Sequence, residues 1–181
     1  TYVQAQNPAT PWLTISKCNT SATSGDTISI AAGTYTWANQ AFTKSFTIVG
    51  TAPLTTIFDG AAGQISWYTN SSGITVAISN LTFRNVVSTG GNQYPFYVAN
   101  TPLVNTTLSV NNCIFNNITV WGDVNSNNGA VFSTWSTGGS AFKCITVTNS
   151  LFYDIKKNAS STGGVVFENF VGSATTANLV V

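Results

Sequence analysis

A six-residue frame that occurs three times constrains the fold of this chain more than any other feature. The frame reads NLTFRN at residues 80–85, NCIFNN at 112–117 and NSLFYD at 149–154. In each copy an Asn stands three positions before a Phe, and an Asn or Asp stands two positions after it. Such a repeat predicts stacked copies of one supersecondary unit, each of which buries its apolar face against its neighbours.

Short strand-like runs lie on both sides of every frame. ITVAIS, TLSVN and CITVT precede the frames, and YPFYV, GAVF and GGVVF follow them after loops that contain Gly. These runs are too short and too evenly interrupted for helices, and they show no helical periodicity. We therefore predict an all-β chain that forms a parallel β-solenoid of a few coils. An ordinary β-sandwich in which the triplets coincide by chance is the alternative.

The frame residues have separate predicted roles. The Phe side chains are expected to fill the core, while the Asn side chains turn the corners, because Asn tolerates the left-handed backbone of a sharp turn. Stacked Asn amides can also hydrogen-bond one another in a ladder. The predicted core stack is Phe83, Phe115 and Phe152. The predicted Asn ladder is Asn80, Asn112 and Asn149. The second turn position of the frame is occupied by Asn85, Asn117 and Asp154.

The N-terminal third carries a second pattern, GDTISIAAGTYTWANQAFTKSFTIVGTAPLTTIFDG, from residue 25. Its order of GDTI, GTY, KSxTIxG and TIxDG segments resembles the opening coils of right-handed β-helix surface proteins. Those are the adhesin-like proteins of methanogenic archaea and the polymorphic outer-membrane-protein repeats of bacteria. The matching positions are Gly25, Asp26, Thr27, Ile28, Gly33, Thr34, Tyr35, Lys44, Ser45, Thr47, Ile48, Gly50, Thr56, Ile57, Asp59 and Gly60.

This resemblance implies a right-handed parallel β-helix at a cell surface, with archaeal cell sheaths as the nearest functional picture. Residues 24–181 are expected to form the solenoid repeats. Residues 1–23 are expected to form an N-terminal lead or cap, in which PWLTISKC at residues 11–18 folds into a short covering helix.

Charge is scarce, at 6% of residues with a net charge of +1 and no His. We expect no nucleic-acid partner, because there is no basic patch, and no cofactor or metal, because neither an acidic field nor a Cys/His spacing is present. No apolar run reaches the roughly 18 residues that a membrane helix needs. The chain starts at Thr1 and contains no Met, which predicts a removed leader and an extracellular or cell-surface location.

A polysaccharide lyase or hydrolase is the first alternative function. Such enzymes need paired carboxylates, or a carboxylate-bound calcium with a basic residue. Asp26 and Asp59 fall in turns where a carboxylate caps backbone amides, and Asp154 takes a turn position of the frame. Asp123 and Glu168 remain, and they are far apart in the sequence. We therefore predict that the chain is not an enzyme.

Two binding functions are further alternatives. Ice or crystal binding needs a Thr-x-Thr pair in every coil, whereas TYT at 34–36 and TVT at 146–148 are not repeated between. An adhesin could bind glycans through aromatic side chains in or near loops, although these side chains can equally cover the ends and corners of a small solenoid. The candidates are Trp37, Trp67, Trp121 and Trp135. Six glycosylation sequons begin at Asn19, Asn70, Asn80, Asn105, Asn117 and Asn158.

The cysteines and the chain ends support a structural function. The Cys count is odd, which leaves at least one thiol free or bonded to another molecule. The cross-link candidates are Cys18, Cys113 and Cys144. The runs TYVQA at 1–5 and TTANLVV at 175–181 are strand-like and uncharged, so copies are expected to continue the stack through them. We therefore predict a non-catalytic homopolymer that forms an extracellular layer, sheath or fibre, with end-to-end and lateral packing and disulfides between subunits. The adhesin is the alternative.

Overall fold

The computed structural model describes residues 14–63, 65–88, 95–98, 105–121, 130–136, 143–158, 166–171 and 177–180. In this part of the chain, helix α1 (Ile15–Ser21) precedes sixteen strands, which are numbered along the chain. The strands form three sheets whose neighbouring strands run parallel. The prediction of an all-β chain is therefore confirmed. No helix among these residues is long and apolar enough to cross a membrane.

Each sheet takes every third strand of the chain. Sheet A consists of β1 (Thr27–Ile30), β4 (Phe46–Gly50), β7 (Thr75–Ser79), β10 (Thr106–Asn111), β13 (Lys143–Thr148) and β16 (Ala177–Val180). Sheet B consists of β2 (Gly33–Thr36), β5 (Thr56–Gly63), β8 (Thr82–Val87), β11 (Ile114–Trp121) and β14 (Leu151–Asn158). Sheet C consists of β3 (Gln40–Phe42), β6 (Trp67–Thr69), β9 (Phe96–Val98), β12 (Phe132–Ser136) and β15 (Phe167–Val171).

One copy of the sequence repeat supplies one strand to each sheet. The runs before the frames form β7, β10 and β13 of sheet A, and the frames themselves enter β8, β11 and β14 of sheet B. Of the runs after the frames, YPFYV contains β9 of sheet C, whereas GAVF and GGVVF end where β12 and β15 begin, at Phe132 and Phe167, so these two strands lie later than predicted. Equivalent residues therefore lie beside one another, since a parallel ladder in constant register pairs each position with its counterpart in the next repeat.

Sheet A shows how the alternation of side chains builds the core. Ile48, Ile78 and Val110 pair in register, and each is at most 1% exposed. The residues on either side of them in each strand point to the opposite face, as the period of two in a strand requires. The apolar positions of the predicted runs thus cover one face of the sheet, and their burial removes apolar surface from water.

The frame Phe residues form a column on the inner side of sheet B. The rings of Phe83 and Phe115 are stacked with centroids 5.5 Å apart, and those of Phe115 and Phe152 are stacked at 4.8 Å. The column continues to Phe58, whose ring stacks on Phe83 at 5.7 Å, and then to Tyr35. Phe83 and Phe115 are fully buried, whereas Phe152 is half-buried at the last strand of the sheet.

Two tryptophans that the sequence placed in or near loops lie in the core. Trp37 and Trp67 are each 1% exposed. The Trp37 ring packs against Phe83 at a centroid distance of 4.9 Å, and the Trp67 indole N–H donates to the Ala38 carbonyl oxygen across 2.9 Å. Neither side chain can contribute to an exposed glycan platform. Trp121 and Trp135 lie in strands, and their side chains are outside the described part of the structure.

Helix α1 covers part of the N-terminal end of the core. The Thr14 hydroxyl caps it by accepting a hydrogen bond from the Lys17 N–H at 3.2 Å, and Cys18 is the buried residue of the helix. The Asn19 side-chain amide donates to the Ala41 carbonyl oxygen in β3 across 2.7 Å. Helix α1 thus overlaps the covering helix predicted within residues 11–18, and it contacts β3, the first strand of sheet C. Residues 1–13, which include the TYVQA run, lie outside the described residues.

Candidate functional site

The first Asn of each frame forms a turn between sheet A and sheet B, here called corner 1. Asn80, Asn112 and Asn149 all have positive φ angles, between 50° and 59°. The Asn112 side-chain N–H donates to Oδ1 of Asn80 across 2.8 Å. Asn149 departs from the predicted ladder, because its Nδ2 donates to Oδ1 of Asn111 at 2.9 Å. The same oxygen accepts a hydrogen bond from the Thr148 hydroxyl at 3.0 Å. The third frame is therefore bonded to Asn111, the residue directly before the second frame, rather than to Asn112.

The second turn position of the frame, here called corner 2, carries another ladder. The Asn117 side-chain N–H donates to Oδ1 of Asn85, and the Asn85 side-chain N–H donates to Oδ2 of Asp59, both across 2.8 Å. Oδ2 of Asp59 also accepts from Nε of Arg84 at 2.8 Å, and its Oδ1 accepts from the Ala61 N–H at 2.9 Å. The carboxylate of Asp59 therefore ends the ladder and pairs with a cation.

This set of partners determines the charge state of Asp59. Partial burial by itself raises the pKa of its carboxyl, but the hydrogen bonds from Ala61, Arg84 and Asn85, with the charge of Arg84, outweigh burial and lower the pKa. Asp59 is thus an anion held by structural donors. We expect it to contribute to stability rather than to proton transfer.

Glycine residues occupy the two corners in the repeat before the first frame. A Cβ atom at Gly50 would overlap the carbonyl oxygen of Asn80, and one at Gly60 would lie 2.7 Å from the carbonyl oxygen of Asn85. In the sequence, Gly50 and Gly60 stand out only as members of the KSxTIxG and TIxDG segments. The structure shows that they admit the backbone of the next repeat at close range.

The outer side of sheet A is a continuous surface of small, neutral side chains, here called face A. Its members alternate with the buried apolar column, and each is partly or largely exposed. They line up in two columns across five strands. Face A comprises Thr27, Thr47, Ala77, Ser109 and Thr146 in one column, and Ser29, Val49, Ser79, Asn111 and Thr148 in the other.

The outer side of sheet B differs from face A in charge and in size of side chain. It carries the Asp59–Arg84 ion pair, and Lys156 pairs with Asp154 across 2.8 Å at β14. Tyr153, in the same strand, is 49% exposed. An approaching surface would have to desolvate these charges on sheet B, whereas the ten residues of face A carry none.

Two of the three cysteines are buried. Cys113 is 1% exposed, and burial raises the pKa of its thiol to about 12. Burial also raises the pKa of the Cys18 thiol. Neither thiol can reach a second molecule while the surrounding core is intact, so the structure does not support the prediction that these two cysteines cross-link subunits. The side chain of Cys144 is outside the described part, but its backbone pairs in register with Thr107, which is partly exposed.

The described carboxylates that were considered for catalysis each have a structural partner. Oδ2 of Asp26 accepts a hydrogen bond from the Thr23 N–H at 2.6 Å, and Asp59 and Asp154 form the ion pairs given above. Asp123 lies outside the described residues, as does the side chain of Glu168 in β15. Within the described residues, no group of three or more His, Cys, Asp or Glu side chains could hold a metal ion.

The two Thr-x-Thr pairs do not share a surface. TYT at 34–36 forms the end of β2 in sheet B, whereas TVT at 146–148 forms the end of β13 in sheet A. The positions of face A that pair in register with Thr146 and Thr148 are Ser109 and Asn111. A regular Thr array is therefore absent from the described strands that adjoin β13.

Comparison of the chain with protein-family models, with curated proteins and with solved structures gives no match.

Proposed function

We propose that this chain is a right-handed parallel β-solenoid that is exported and, without catalysis, builds an extracellular layer, sheath or fibre from copies of itself. Three observations support the solenoid. Each sheet takes every third strand, the frame Phe rings stack in one column, and Asn side chains turn successive corners. A chain that winds once around its core per repeat has these three properties.

The proposed assembly rests on the absence of charge among the ten residues of face A. Uncharged hydroxyl, methyl and amide groups are less costly to remove from water than charges, and interface centres are depleted in charged residues. Two sheets can pack face to face about 10 Å apart when small side chains interdigitate. Lateral packing of one face A on the face A of a second copy therefore fits the chemistry of this surface.

We propose that the disulfide between subunits forms through Cys144. Because Cys18 and Cys113 are buried, Cys144 is the cross-link candidate that remains. One reactive cysteine per chain can join two chains and no more. A denaturing gel without reductant should therefore show a band at twice the chain mass that collapses on reduction, and no ladder of higher bands. A Cys144→Ala variant should run as a single chain in both lanes.

Charge introduced on face A tests the assembly directly. We expect the double variant Ala77→Lys with Ser109→Lys to remain monomeric where the parent associates, because the like charges would face each other across the interface. Asn116→Lys on the outer side of sheet B is the matched control and should associate as the parent does. Sedimentation velocity over a range of concentrations, with electron microscopy of the largest species, gives the readout, and circular dichroism checks that each variant is folded.

Two outcomes would count against the proposal. A parent chain that sediments as a monomer at every concentration would contradict self-assembly and favour the adhesin alternative, which requires a saturable ligand. Equal association of the face A variant and the parent would show that the chains meet through another surface.

A further inference from the structure

The six N-glycosylation sequons differ in whether the fold leaves their acceptor amide free. The Asn19 side-chain N–H donates to the Ala41 carbonyl oxygen at 2.7 Å, and that of Asn117 donates to Asn85 at 2.8 Å. A sugar on either nitrogen would leave it one N–H and would crowd a hydrogen bond that holds α1 or corner 2. The side chain of Asn158 is outside the described residues.

The sequon at Asn80 is blocked in a different way. Its Oδ1 accepts the ladder hydrogen bond from Asn112, so the amide is held in a fixed orientation. The hydroxyl of its third residue, Thr82, is buried and donates to the Pro53 carbonyl oxygen across 2.6 Å. Both the acceptor amide and the hydroxyl that defines the sequon are therefore engaged in the fold.

Asn70 and Asn105 are in the opposite situation. Both are exposed, and within the described part of the chain neither side chain forms a hydrogen bond. Asn70 lies in the turn between β6 and β7, and Asn105 directly precedes β10 with a φ angle of 52°. The Thr106 hydroxyl donates to the Ser71 carbonyl oxygen at 3.0 Å, so the two turns lie side by side on the edge that leads into sheet A.

The third residue of each of these two sequons also reaches the surface. Ser72, the third residue of the Asn70 sequon, is exposed, and Thr107, that of the Asn105 sequon, is partly exposed. Each turn thus presents an acceptor amide together with the residue that a glycosylating enzyme must read, as a surface loop of an exported protein does.

We propose that Asn70 and Asn105 are N-glycosylation sites. The donor is a lipid-linked oligosaccharide: the bond from its anomeric carbon to the lipid phosphate breaks, a bond from that carbon to Nδ2 forms, and Nδ2 loses one proton. The proposal rests on the proposed export, because the donor lipid and its transferase meet a chain only on a secretory route. Glycans at neighbouring turns would project from one edge of sheet A and would leave corners 1 and 2 free.

The test is site occupancy in the chain secreted from a host that glycosylates exported proteins. All variants carry Asn158→Gln, so that the undescribed sequon does not contribute. Thr107→Val removes the Asn105 sequon but keeps its Asn, and Ser72→Ala does the same for Asn70. Thr119→Val, which removes the Asn117 sequon in the same manner, is the matched control. Intact mass counts the glycans, and peptide mapping after enzymatic release in ¹⁸O-labelled water identifies each modified Asn.

We expect two glycans on the Asn158→Gln chain and on the Thr119→Val control, and one fewer on Thr107→Val and on Ser72→Ala. Loss of one glycan in Thr119→Val, sugar on Asn19 or Asn80, or lack of sugar on Asn70 or Asn105 would each overturn the proposal. Failure of assembly is a separate result, because the sedimentation experiment uses chain produced without glycans.

Discussion

Asn112 donates a hydrogen bond to Asn80 across 2.8 Å while both residues hold left-handed backbone at the same corner. The Asn112 side chain therefore contributes in two ways: it is compatible with the left-handed turn, and it joins one repeat to the next by a hydrogen bond. The two contributions can be separated by experiment, because Gly keeps the turn and loses the amide, whereas Ala loses both.

We expect Asn112→Gly to lower the free energy of unfolding by about 0.5–1.5 kcal/mol, the usual net value of one hydrogen bond. Asn112→Ala should cost about 1–2 kcal/mol more, because a Cβ disfavours the left-handed conformation. Urea titrations of the parent and both variants give these differences. Equal stabilities of the Gly and Ala variants would show that the left-handed turn contributes nothing at this position.

Truncation of the aromatic column should be costly at its centre. Phe115 is fully buried between Phe83 and Phe152, so we expect Phe115→Ala to cost about 3–5 kcal/mol. Phe152→Ala removes the same atoms from a half-buried site and is the matched control, with a smaller expected loss. If urea denaturation gave Phe115→Ala the stability of the parent, the column would not be a source of stability.

Alkaline pH should destabilise the fold through Cys113. Its folded pKa of about 12 exceeds the ordinary value of 9.0, so the folded state keeps a proton that the unfolded state loses. The contribution of the protonated Cys113 thiol to the free energy of unfolding is fully present below pH 9.0. It falls by about 1.4 kcal/mol per pH unit as the pH rises toward 12. The parent should lose stability more steeply than Cys113→Ala over this range. Parallel profiles of the two proteins in urea titrations at each pH would contradict the prediction.

Acid pH should act through Asp59, with the opposite sign. Its folded pKa lies below the ordinary value of 3.8, so the stabilisation is present above that pH and is lost as pH falls through the folded pKa. The advantage of the parent over Asp59→Asn, measured by thermal melting, should therefore shrink in acid. Asp154→Asn is the control, and because its ion pair is more exposed, this substitution should change stability less than Asp59→Asn does at neutral pH.

The sequence predicts the repeat well because its signals are local. The distance from Asn to Phe within the frame fixes which residues face the core, and Asn is a residue type that adopts positive φ. Six frame positions do so in the structure, which are Asn80, Asn85, Asn112, Asn117, Asn149 and Asp154. The strands before each frame lie where the sequence pattern predicts them, whereas two of the strands after the frames begin at the last residue of the predicted run.

Other features depend on contacts between repeats, which the sequence does not specify. Asn111 and Asn112 are adjacent amides, and only the offset of the third repeat decides which of them receives Asn149. Trp67 reads as a loop residue because β6 has only three residues. Cys113 shares its position with Leu81 and Ser150, of which one is fully buried and the other partly exposed, so residue type alone left its orientation open.

The parallel ladders give the fold a direction of mechanical weakness. In every sheet the hydrogen bonds run across the strands, from each repeat to the next. A pull along that direction opens the bonds one strand at a time, as a zipper opens, whereas a pull along the strands loads all bonds of a ladder together in shear. A material made of such units would therefore resist tension best when the load is applied along the strands, and least when it is applied from repeat to repeat.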